Sequence, residues 1–209
     1  MKTASLSGSP REGVGKKDAS VLRKEGRVPA VLYGGDKQTH LHLDSIQVEK
    51  LIHNPDVFRI ELDVDGTVTP CIVRDIQYHP VTDNILHLDL LELVDNKPVW
   101  VDIPVRTEGN AVGVMNGGRL AINHRRLRLR GLPNAIPEYV MCNITNLDIG
   151  DVIRVREIEL EGVTIEQADS DVVVAVKRTR AAMSAASGEE GEEGESEGEG
   201  EEGAEEAAE

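Results

Sequence analysis

The densest group of residues that could do chemistry is Gly13-Val14-Gly15-Lys16-Lys17, with Arg11 just ahead of it. Glycines beside lysines can wrap a phosphate, and the nucleotide-binding P-loop is the most specific form of that arrangement: Gly, four residues, then Gly-Lys-Ser/Thr. Gly8 stands five residues before Gly13, but Val14 follows Gly13 and no Ser or Thr follows Lys16. A nucleotide pocket is therefore not expected. What remains is a loop dense in Lys and Arg leading into a helix, which suits a phosphate backbone, although a solvated charge run has the same composition.

A second constellation is His87-Leu88-Asp89. On a strand, His87 and Asp89 share one face while Leu86, Leu88 and Leu90 share the other, so a donor and an acceptor are offered together on a sheet surface. Such pairs can contact base edges and 2′-hydroxyls; the polar side of any half-buried strand gives the same pattern. His40 and His42 also face one way, but no third ligand is spaced nearby and Leu41 and Leu43 fit ordinary alternation, so a structural role and no metal are expected. Cys71 sits among Pro70, Ile72 and Val73, which should raise its thiol pKa and leave it inert. Neither it nor Cys142 has Cys or His at ligand spacing, so no disulfide framework or zinc module is legible. With no nucleophile and base at a readable spacing, no catalytic residue, cofactor or small-molecule substrate is expected. In the stretch His124 to Arg130, Arg126, Arg128 and Arg130 alternate with Leu127 and Leu129. Because residues 94–180 balance at twelve basic and twelve acidic, a solvated face paired with acidic neighbours is favoured over a secondary RNA or protein contact.

The elements that must position these residues are mostly strands, at Thr3 to Ser7, Ala30 to Tyr33, His40 to Leu43, Val57 to Val64, Val68 to Gln77 and Leu86 to Leu91. Asp65-Gly66 is a two-residue hairpin turn in which both residues want positive φ. Two short helices fit between the strands: one capped by Asp18 and stopped at Gly26, the other starting at Asp44 or Ser45 and ending at His53-Asn54-Pro55. Six short strands in about 90 residues favour a small closed barrel over an open parallel sheet. Asp95-Asn96-Lys97-Pro98 interrupts the pattern, and Pro98 to Arg106, Arg119 to Leu132, Tyr139 to Ile144, Asp151 to Leu160 and Asp171 to Lys177 read as strands of a second, antiparallel domain. The fold class is mainly β, divided into residues 1–93, 94–180 and 181–209.

Charge position matters more than net charge. The chain carries −15 over 209 residues, but the last 29 hold twelve Glu and no basic residue, and should form a disordered tail. The preceding 180 residues balance at 23 basic against 26 acidic, and the first 37 hold eight basic against four acidic. A duplex rewards such local clusters, so the acidic total does not exclude nucleic acid. Met1 to Leu6 lacks an apolar h-region and no stretch approaches 18 apolar residues, so neither secretion nor a membrane span is expected and the cytoplasm is the default.

Several stretches, in order, resemble one family: Arg11 to Ala19, Arg27-Val28-Pro29-Ala30-Val31-Leu32-Tyr33-Gly34-Gly35, Gln77-Tyr78-His79-Pro80 and His87-Leu88-Asp89. The same holds for Gly113 to Gly118, Ile136-Pro137-Glu138 and Ile149-Gly150-Asp151. Together they resemble the bacterial large-subunit ribosomal proteins that bind 5S rRNA, in the longer two-domain form called general stress protein CTC. The resemblance covers residues 1 to about 178. It implies a six-stranded N-terminal barrel docked on 5S rRNA, a β-rich second domain, and neighbouring ribosomal proteins as further partners. Carried over by position, it implies phosphate contacts from Arg11 and Lys16, an RNA contact from Tyr33, and the polar pair His87 and Asp89. Lys17, Arg23 and Gln77 are added as neighbours. Members often have a second Arg where this chain has Ser20, and Arg23, one turn on, is the residue that would compensate. Two rivals remain open at this point: a stress-linked adaptor acting through the second domain and acidic tail, and a nucleotide-dependent enzyme using the Gly13 loop.

Overall fold

The computed structural model describes residues 1–35 and 37–179, so the expectation for the Glu-rich tail falls outside the described residues. The first part consists of β1 (Lys2–Pro10), α1 (Lys16–Lys24), β2 (Arg27–Tyr33), β3 (Thr39–Asp44), α2 (Ser45–Ile52), β4 (Phe58–Val64), β5 (Thr67–Tyr78) and β6 (Ile85–Glu92). The six strands close into a barrel in the order β1-β3-β2-β6-β5-β4. Closure mixes directions: β1 runs parallel to β4 and β2 parallel to β6, while the other pairs are antiparallel.

Alternation supplies the barrel core. Leu41 and Leu43, Ile60 and Leu62, and Leu88 and Leu90 all point inward and are essentially inaccessible to solvent, while the residues between them face out. The β4–β5 hairpin turns on Asp65 and Gly66 with φ of 52° and 82°, the left-handed pair expected from their sequence. Cys71 lies in this core, where burial and Glu92 push its thiol up to about 12. The helix α1 departs from expectation at its start. Gly15, not Asp18, is the N-cap, and Asp18 sits in the first turn. A Cβ at Gly13 would collide with the Asp18 carboxylate, so a negative charge already occupies the loop beside the positive end of the helix.

The second part contains β7 (Val99–Glu108), α3 (Val112–Met115), β8 (Arg119–Ile122), β9 (Arg126–Gly131), β10 (Val140–Asn143), β11 (Val152–Arg154), β12 (Val163–Ile165) and β13 (Val172–Lys177). These strands form a four-stranded sheet, β10-β7-β9-β12, and a three-stranded sheet, β11-β13-β8. Three expectations are corrected here. The domain is not purely antiparallel, because β10 runs parallel to β7. Arg119 to Leu132 is not one strand: it breaks at Asn123-His124-Arg125, where the chain passes from one sheet to the other. The stretch Asp151 to Leu160 keeps only three residues in a strand before a single 3-10 turn at Val155–Glu157.

The two parts share an apolar seam. Ile72, on the opposite side of β5 from Cys71, is buried with Leu93, Val99, Val101 and Ile103 in the core of the second part. Polar contacts reinforce it. Asp56 receives Lys2 at 2.5 Å and Arg106 at 2.6 Å, and these cations hold its carboxyl below the usual range despite the opposing effect of burial.

Candidate nucleic-acid interface

The outward residues of the barrel assemble the candidate site through strand register. On β2, Val31 lies opposite His40 of β3 on one side and Asp89 of β6 on the other. Asp89 in turn faces Asp75 of β5, and Gln77 faces His87. Four strands therefore place polar side chains on one outward face, interrupted on β2 by Pro29 and Val31, over an apolar interior. His87 and Asp89 share this face, with Nδ1 and Oδ1 2.8 Å apart; the contact is close, but His87 Nδ1 is buried and not aligned for a hydrogen bond.

The helix α1 and its leading loop cover one side of this face. Arg11, Lys16 and Arg23 line a shallow hollow of about 340 Å³ together with His40 and His87. Two of these cations also organise the structure. The Arg11 Nε donates to the Gly13 carbonyl at 2.8 Å, shaping the loop, and the Arg23 Nε donates to the Leu86 carbonyl at 3.0 Å, fastening the helix to β6. Each leaves further guanidinium N–H groups for an anion. Because Asp18 stands by the helix start, an anion in this hollow would meet the side chains of Arg11 and Lys16 more than bare backbone N–H groups.

Among the residues singled out from sequence, Arg11, Lys16, Arg23 and His87 are brought together in the hollow, with Asp89 and Gln77 on the adjoining strands. Tyr33 stands two residues beyond Val31 on β2, and burial first, then the Asp89 charge, raise its phenol pKa. It remains a hydrogen-bond donor throughout the neutral range. Lys17 is exposed on α1 and does not line the hollow. His42 behaves structurally, with its Nδ1 3.0 Å from Arg27 Nη1; burial and that guanidinium lower its pKa. His40, two residues away on the same face of β3, borders the hollow. Its outward alternation was readable, but its neighbours across β2 were not.

This arrangement can bind an extended anion and then test what lies beside it. Cations at one edge attract phosphates, while an imidazole, carboxylates, an amide and a phenol offer donors and acceptors to bases and sugars. Among the described residues no group of three or more His, Cys, Asp or Glu could hold a metal ion.

Known proteins match the chain along nearly its whole described length. Residues 6–90 match the family model described as Ribosomal L25p family, and residues 98–180 match the one described as Ribosomal protein TL5, C-terminal domain. A relative from Porphyromonas gingivalis, named large ribosomal subunit protein bL25, is 43% identical over 188 residues, covering 89% of this chain and 98% of the relative. Proteins of the same name from Phocaeicola vulgatus and Bacteroides fragilis are each 40% identical, over 193 and 165 residues, covering 89% and 79% of this chain and 98% and 84% of the relatives. A closed barrel of residues 2–92, a second β-rich part matching a second family model, and this level of identity lead to one assignment: the chain belongs to the ribosomal L25p family, in the two-part form that carries a TL5 C-terminal domain.

Proposed function

We propose that the chain is a non-catalytic component of the bacterial large ribosomal subunit, cytoplasmic and ribosome-bound, and that residues 1–93 bind 5S rRNA. The relatives' shared name supports the subunit assignment. The observation that carries the RNA reading is the hollow where Arg11, Lys16 and Arg23 meet His87 beside Asp89. In this reading Arg11, Lys16 and Lys17 draw in phosphates, Arg23 fixes the helix and contributes charge, and Tyr33, Gln77, His87 and Asp89 read the groove and its hydroxyls.

Titrations of the full chain with 5S rRNA at several salt concentrations test this. Arg11→Ala and Lys16→Ala should each weaken binding and make the slope of log K against log salt shallower, by about 0.7 to 0.9 per lost contact. Asp89→Asn should reduce the preference for 5S rRNA over an unrelated duplex. Unchanged affinity, slope and preference in all three variants would overturn the assignment.

A further inference from the structure

The chain has five aromatic residues, and three of them, Phe58, Tyr78 and Trp100, line one cleft of about 360 Å³ between the barrel and the second part. Trp100 is 45% exposed and Tyr78 47%, so neither ring is consumed by packing. The Trp100 ring is also dressed with cations: the guanidinium of Arg74 lies 5.5 Å and that of Arg130 5.9 Å from its centroid. Arg130 is its direct cross-strand partner on β9. Arg74 comes from the barrel, where the register shift between Val73 and Asp75 leaves it out of the ladder, and it donates to the Trp100 carbonyl at 2.9 Å. A bulge at this point aims a side chain away from its own sheet.

The cleft continues the candidate face. Asp75, next to Arg74, is the cross-strand partner of Asp89, so the polar strands of the barrel lead directly to Trp100. Beyond it, Arg126, Arg128 and Arg130 project from β9. Of the carboxylates lining the cleft, Asp102 pairs with Arg128 at 2.9 Å and Asp56 with Lys2 and Arg106, while Asp75 accepts from the Ile76 backbone N–H at 2.9 Å. A half-exposed ring flanked by Arg74 and Arg130, neither of them in an ion pair among the described residues, suits a nucleotide: the base has a ring to stack on and its phosphates meet the arginines.

The geometry points to a second RNA contact, in which an unpaired nucleotide of the RNA held by the barrel stacks on Trp100 in the interdomain cleft, with Arg74 and Arg130 on its backbone. This inference rests on the 5S rRNA reading above and extends it into the second domain. Trp100 is the single tryptophan, so its emission reports the site in the unaltered full chain. On titration with 5S rRNA, emission should be quenched in step with binding followed independently by anisotropy of labelled rRNA. Trp100→Leu should weaken binding about tenfold with the salt slope retained, and Arg130→Ala should make that slope shallower by about 0.7 to 0.9. Emission that stays constant at saturating rRNA, or a Trp100→Leu variant that loses thermal stability but keeps its affinity, would overturn the stacking contact and leave the barrel reading intact. Absence of any anisotropy change in the unaltered chain would remove both.

Discussion

His42 shows how a single outward side chain connects charge to stability. Burial and the Arg27 guanidinium both disfavour its protonated form, so its folded pKa lies below that of a free imidazole. In the unfolded chain the ring protonates first as pH falls. The unfolded state then binds the extra proton, and stability contributed by neutral His42 is present above about pH 6.5 and lost as pH drops toward the folded value. The midpoint of urea unfolding should therefore fall on acidification through this range, and His42→Gln, which keeps an acceptor for Arg27 but cannot titrate, should fall less. Equal losses in the two proteins would mean that other groups govern the acid limb. The type and direction of His42 were readable from Leu41 and Leu43 on either side. Its partner was not, because Arg27 reaches it only after β2 has found its register on β3.

At the scale of elements, local chemistry was readable wherever it was self-sufficient. Asp65-Gly66 fixes a turn whatever surrounds it, and a Cβ added at Gly66 would meet no atom within 4 Å, so only the positive φ opposes a side chain there. Gly66→Ala should cost about 1 kcal/mol, and Gly66→Asn less, in equilibrium denaturation. Elements defined by distant partners were harder to read. Nothing within Arg119 to Leu132 marks a break, since it contains no proline and its one late glycine pairs in β9; the division at Asn123-His124-Arg125 exists because two sheets need one strand each. The strand β12 has three residues, too few for alternation to show, and the parallel pairing of β10 with β7 depends on a return path that no local motif encodes. In α1, Asp18 is a good capping residue at a place where the helix has already begun, because Gly15 takes the extended conformation first. Likewise, the hollow was foreseeable as a set of residue types, whereas the position of Arg74 required the bulge in β5.

Across the whole molecule, the two parts are joined by packing more than by the short turn around Asp95-Asn96. Ile72 belongs to a barrel strand yet is buried in the core of the other part. The intact chain should accordingly unfold in one cooperative calorimetric transition, and Ile72→Asp, which puts an unpaired charge in the seam, should separate it into two. Two transitions in the unaltered chain would show that the seam does not couple the domains. On the RNA reading proposed above, a seam that held would keep the polar face of one domain and Trp100 of the other at one spacing.

The last strand has a further consequence for how the protein is made. β13 lies between β11 and β8, so neither of those earlier strands has a partner in its sheet until Val172–Lys177 has been synthesised. The barrel needs nothing beyond residue 92 and can close while the rest of the chain is still emerging. During that interval the outward side of Ile72 is without its cover. Birth order thus imposes a sequence of events: first a complete barrel with one bare flank, then the cleft once β7 and β9 have emerged, and last the sheet that waits for β13.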